Sequence, residues 1–104
     1  MARFDVYQNA NRATARDVPL LLDVQHDLFE RLGTRMVIPL FTEKAVKKPM
    51  TRLNPTFEVA GMRVVLMTPE MAGVPSAVLG PRVGSLAGES AAILGAVDFL
   101  LTGG

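Results

Sequence analysis

Near the start of the chain Phe4 and Val6 alternate with Asp5 and Tyr7, the period-two pattern of a short strand. Residues 8–17 are polar, carry Arg12 and Arg16, and offer a core nothing but alanine, so they read as a loop. Residues 18–24 are apolar and branched, a second strand with Pro19 at its start or at a sheet edge, where no ladder N–H is needed. Gly33 marks a turn within residues 27–35, and residues 36–41 form a third strand that again carries a proline, Pro39. Residues 42–54 are basic and broken by Pro49, with Pro55 just beyond, which predicts a loop. The apolar runs 56–60 and 62–68 flank Gly61 and predict a hairpin. Gly73 and Pro75 punctuate the stretch up to a short final strand at Val78-Leu79, and Gly80-Pro81 reads as a turn.

The period changes over Glu89–Leu101. Ile93, Val97, Leu100 and Leu101 share one helical face, with Leu94 beside it and Gly95 and Phe99 on another. The helix is apolar almost all round, and the glycines at its end are a common terminator. Short strands followed by one terminal helix predict a mainly antiparallel β domain with an appended helix. A chain of 104 residues holds one domain, 1–104, and no internal repeat or linker divides it.

Composition narrows the function classes. Lys and Arg total 11 against 10 Asp and Glu, a net charge of +1, which does not mark a nucleic-acid binder. Residues 1–52 hold nine basic and six acidic side chains and residues 53–104 two and four; beyond Val83 the only charges are Glu89 and Asp98. That apolar end must be buried or must bind something. Cysteine is absent, which excludes disulfides, thiolate catalysis and Cys-ligated metal, and the single histidine, His26, excludes a multi-histidine site within one chain. No cofactor is implied. The first residues lack the apolar run of a signal peptide and no stretch is long enough for a membrane span, so a cytoplasmic location without membrane contact is expected.

Candidate chemistry is sparse. Gly88-Glu89-Ser90-Ala91-Ala92 stands one residue from the G-x-S-x-G elbow, but its fifth position is alanine and His26 precedes the serine, so Ser90 or Ser85 reads as a helix cap. His26 lies between Asp23 and Asp27 with no nucleophile in view and reads as surface. Gly80, Gly84 and Gly88 recur every four residues without the Gly-Lys-Ser/Thr of a phosphate loop. Lys44, Lys47 and Lys48 read as a solvated loop. The six methionines read as packing in a core or a dimer interface.

Longer strings carry a resemblance. Leu22-Asp23-Val24-Gln25, then Gly33 and Arg35-Met36-Val37-Ile38-Pro39-Leu40, followed by Met67-Thr68-Pro69-Glu70-Met71-Ala72, Val74-Pro75 and Leu79-Gly80, with Asp5-Val6-Tyr7 near the start, resemble the CcdB toxin family in register from Phe4 to about Asp98. The resemblance implies an SH3-like, partly open barrel of antiparallel strands with one C-terminal α-helix, assembled as a homodimer. It implies the toxin of a toxin–antitoxin pair, which binds the A-type subunit of DNA gyrase and traps the complex of gyrase with cleaved DNA, and so is not an enzyme. It implies neutralisation by a CcdA-like antitoxin with a flexible C-terminal segment, and contact with operon DNA only indirectly, through the antitoxin complex.

Carried over by position, the gyrase face falls on Phe4, Tyr7, His26 and Leu28, and in the helix on Gly95 and Asp98, with Phe99 and Leu101 adding apolar surface. The family's final Trp-Gly-Ile falls on Thr102-Gly103-Gly104, where only the glycine is kept. Thr102 cannot fill the volume of a tryptophan anchor, which predicts weakened gyrase poisoning. Two alternatives stand beside this reading: a member of the fold that has lost or changed its target and keeps antitoxin binding and operon autoregulation, and an enzyme. The enzyme would be a MazF-like ribonuclease using Arg31, Arg35, Asp27 and Thr34, or a hydrolase using Ser90.

Overall fold

The computed structural model describes residues 2–103. Seven strands, β1 (Asp5–Asn9), β2 (Leu20–Asp23), β3 (Thr34–Thr42), β4 (Thr56–Val59), β5 (Met62–Leu66), β6 (Ala72–Pro75) and β7 (Leu79–Ser85), precede one helix, α1 (Ser90–Thr102). All pairings are antiparallel, in the order β4-β5-β3-β2-β1-β7, with β6 added on β3. The sheet curls until its ends approach: a Cβ built on Gly84 in β7 would lie 2.9 Å from Cγ2 of Val59 in β4. The fold is therefore the expected partly open antiparallel barrel with a C-terminal helix.

Register explains the inner face. Val6, Leu22 and Ile38 lie opposite one another across three strands, and Leu20, Leu40 and Leu66 form the next row. Phe4, Val24, Phe57, Val59, Val64 and Leu86 extend this core, and α1 closes it with Ile93 and Ala96. The hairpin at Gly61 forms as expected, with Ala60 and Gly61 both at positive φ, the backbone that matches strand twist in a two-residue turn.

Pro39 sits in a central strand without disrupting it. Along one side of β3, pairing passes from β6 at residues 34–37 to β5 at residues 40–42. The Pro39 carbonyl accepts from Met67 N–H on that side, so the absent N–H faces the seam between the two partners.

Two expectations need correction. Gly80-Pro81 is not a turn but lies inside β7, and the run through Gly73 and Pro75 is strand β6. β7 pairs only with β1, at the sheet edge, where a proline is tolerated, and its register shifts twice, between Val6 and Tyr7 and between Tyr7 and Asn9. Within the loops of residues 27–35 and 42–54, short 3-10 turns form at Asp27–Phe29 and Glu43–Ala45, and β3 begins at Thr34.

The second face of the sheet buries a polar group beside apolar Leu21 and Val37. Asp23 and Arg35 are both fully inaccessible: one Asp23 oxygen accepts from Arg35 Nε at 3.0 Å and Nη2 at 2.5 Å, and the other accepts from Gln25 N–H at 3.0 Å. Among the described residues Arg35 Nη1 has no hydrogen-bond partner. Arg35 is thus unavailable for the phosphodiester that the ribonuclease reading gives it. Beside this pair, Tyr7 donates a long hydrogen bond, 3.5 Å, to Asp5, whose carboxylate also meets Arg82 at 3.1 Å.

β7 should tolerate no side chain at Gly80, because a Cβ there would lie 2.9 Å from the backbone carbonyl of Gln8. Gly80→Ala is expected to lower stability by about 1–3 kcal/mol in urea unfolding. Gly33→Ala, where nothing lies within 4 Å of the new Cβ, should change it by less than about 0.5 kcal/mol. Equal effects would contradict the β1–β7 packing.

Candidate partner-binding surface

The C-terminal helix positions most of the candidate residues. It has no side-chain N-cap and no acid in its first turn: neither Ser90 nor Ser85 caps it, and the Ser85 hydroxyl instead accepts from Ala87 N–H at 3.1 Å, ahead of the 3-10 turn of residues 87–89. Of thirteen residues only Ile93 and Ala96 are buried, so packing of one narrow stripe holds the helix. Gly103 ends it in the left-handed conformation, φ 78°, donating to the Phe99 carbonyl at 2.8 Å.

Gly95, Asp98, Leu101, Thr102 and Gly103 are all exposed on this element, Leu101 to 71%. The Thr102 hydroxyl donates to the Asp98 carbonyl at 2.8 Å. Phe99 is half-buried, with the Arg52 guanidinium carbon 4.3 Å from its ring centroid. Gly104 lies outside the described residues.

His26 and Leu28 form a second group, in the turn between β2 and β3. His26 is exposed, and its Nδ1 accepts from Leu28 N–H at 3.0 Å, starting the 3-10 turn. That turn drives Leu28 into solvent, 76% exposed, beside exposed Phe29 and Leu32. Gln25 fastens it from within, donating to the Phe29 carbonyl at 2.7 Å and accepting from Met36 N–H at 2.9 Å.

Phe4 and Tyr7 do not join either group. Phe4 is 8% exposed in the core, held at φ 70° by bonds to the Asp23 carbonyl (2.6 Å) and from Leu86 N–H (2.8 Å). Tyr7 is 5% exposed beneath the second face. Both place β1, and neither presents a surface to a partner in this conformation.

Sequence reasoning counted Arg52 in the basic loop of residues 42–52 but missed its place over Phe99. Arg52 stands on a turn fixed at both ends: Asn54 Oδ1 accepts from Met50 N–H at 3.0 Å while Asn54 Nδ2 donates to the Leu66 carbonyl at 3.1 Å, and the Thr68 hydroxyl donates to the Leu53 carbonyl at 2.6 Å. A basic residue in a proline-broken loop gave no sign of an aromatic partner 47 positions away. Phe29 and Leu32 were also missed, their apolar character being the only signal.

An apolar cleft of about 340 Å3 lies on the second face, over Leu21 and Pro39 and between the loop after β1 and β6. Among the described residues no three His, Asp or Glu side chains gather to hold a metal ion, and no helix is long and apolar enough to cross a membrane. The arrangement offers apolar and cationic contact surface. Compared with known protein families, residues 3–103 match the family described as CcdB protein.

Tyr7 supplies a direct test of the buried second face. Its hydroxyl pKa is raised above 10.0, first by desolvation and then by the charges of Asp5 and Asp23. The folded state favours the neutral phenol, so this contribution to stability is complete below about pH 10 and is lost as pH rises through the folded pKa. Tyr7 is the one tyrosine and tryptophan is absent, so tyrosinate absorbance reads this group alone. The native midpoint should exceed that measured in urea; coincident midpoints would show an exposed phenol.

Proposed function

Since the chain belongs to the CcdB protein family, we propose that it is a toxin that binds the A-type subunit of DNA gyrase and traps gyrase on cleaved DNA, neutralised by a CcdA-like antitoxin. The observation that carries this reading is the family match over residues 3–103, nearly the whole chain. The surface agrees with a binding function: apolar side chains stand in solvent at Leu28, Phe29, Leu32, Leu94 and Leu101. The toxin acts by occupying gyrase and catalyses nothing. The gyrase contacts come from Leu28 and His26 and from the helix end, Gly95, Asp98, Phe99, Leu101, Thr102, Gly103 and Gly104. DNA is reached only through the antitoxin complex.

The antitoxin binds as a flexible chain that orders on binding. The loops of residues 8–17 and 42–52 carry Arg12, Arg16, Lys44, Lys47, Lys48 and Arg52, which favour an acidic or mixed-charge ligand.

Two protomers pair through surplus apolar surface in a shared two-fold interface. Light scattering at micromolar concentration should give twice the 11.2 kDa of one chain; a value of one chain would exclude the dimer.

The helix tip sets the strength of poisoning. A lost tryptophan anchor costs about 2 kcal/mol or more, a weakening of roughly thirtyfold. Gyrase-mediated DNA cleavage should therefore be weakly stimulated by this protein and strengthened by Thr102→Trp with Gly104→Ile. Strong trapping without the substitutions would show that the tip needs no aromatic anchor. No trapping with or without them would favour the second reading, a family member with a lost or changed target.

A further inference from the structure

Between α1 and the turn of residues 51–55 runs a cleft of about 220 Å3 lined by Thr51, Arg52, Pro55, Ala92, Gly95 and Ala96. Its helical wall is low. A Cβ on Gly95 would meet nothing within 4 Å, so no packing inside the protomer requires glycine there. Mid-helix glycine costs about 1 kcal/mol relative to alanine, yet it leaves the cleft open to an incoming side chain.

The opposite wall is cationic. Arg52 lies over Phe99, and among the described residues its guanidinium meets no carboxylate. Lys44, Lys47 and Lys48, in the same loop, are also without an acidic partner, and the one acid there, Glu43, is taken by Arg63 at 3.3 Å. Contact with a ring face leaves a guanidinium's N–H donors for a carboxylate, and the fixed Met50–Asn54 turn holds the group in place before any ligand arrives.

We propose that this cleft is a docking site for an acidic polypeptide segment, with an apolar side chain of the segment over Gly95 and a carboxylate on Arg52. A side-chain-sized trough with a methyl-lined floor suits a peptide. A nucleic-acid backbone would call for a row of cations on a basic chain, and this chain has a net charge of +1. The inference rests on the toxin–antitoxin reading for the source of the segment, while its test requires neither gyrase nor antitoxin.

The test is fluorescence anisotropy with the full chain and a labelled peptide of alternating glutamate and leucine. A peptide with lysine in place of glutamate and an oligothymidylate serve as competitors. Arg52→Met keeps the aliphatic stem and removes the charge; Gly95→Leu fills the cleft and raises helix propensity, so folding is retained. Each should weaken binding about tenfold or more. Gly33→Ala, in the turn before β3 and not among the residues that line the cleft, should leave it unchanged. Unaltered affinity in Gly95→Leu, or oligothymidylate competing as well as the acidic peptide, overturns the proposal. A protein that fails to trap gyrase yet binds the peptide through Arg52 and Gly95 refutes the gyrase reading alone. A protein that traps gyrase but ignores the peptide refutes the cleft alone.

Discussion

Asp23 ties three elements of this molecule together. Its carboxylate receives Arg35 from β3 and the N–H of Gln25, and its backbone carbonyl receives the N–H of Phe4, so one residue binds β1, β2 and the entry to β3. Both charges are wholly buried, and the desolvation they incur is offset only through good geometry and filled lone pairs. The pair is therefore less a source of net stability than a specification. An Asp23 left without Arg35, or the reverse, strands a charge at a cost of about 3–5 kcal/mol, so competing registers of the β2–β3 pairing are strongly disfavoured.

That constraint reaches the surface through short links. The N–H of Gln25 is fixed by Asp23, and its side chain bridges Phe29 and Met36. The turn between β2 and β3 is thus stitched from inside while Leu28, Phe29 and Leu32 project outward. Phe4 adopts a left-handed backbone that a bulky residue avoids at a cost of order 1 kcal/mol. It holds because Asp23 and Leu86 take both of its backbone groups while the ring fills the core. The buried ion pair on one face of the sheet and the apolar core on the other together leave little freedom in how β1 enters the barrel.

Much of this was legible in the chain. Alternation at Phe4–Tyr7, the branched run before Asp23, the Gly61 hairpin and the change of period after Glu89 each correspond to an observed element. β6 and the part of β7 beyond Leu79 were hidden because glycine and proline punctuate turns far more often than strands, and only their edge positions admit Gly80, Pro81 and Pro75. The Asp23–Arg35 pair was invisible because a charged residue in sequence carries no mark of burial. Arg35 was even open to reading as a phosphate ligand. Resemblance pointed to the helix end as a contact surface, but nothing pointed to Arg52 over Phe99, since that contact depends on how Asn54 and Thr68 fold the preceding turn.

The helix itself is built with almost no local reinforcement. It lacks a side-chain N-cap, an acid in its first turn and a base in its last, so Ile93, Ala96 and the Gly103 terminus carry it. One stripe packs on the barrel, and positions 94, 95, 98 and 101 are exposed beside it. Substitution there alters what the helix offers to a partner at little cost to the fold, whereas substitution at Ile93 opens the core. A surface decoupled from stability in this way is free to vary in sequence while the barrel beneath it stays the same. The stability of the barrel and the chemistry shown on the outer face of the helix are then set by different residues.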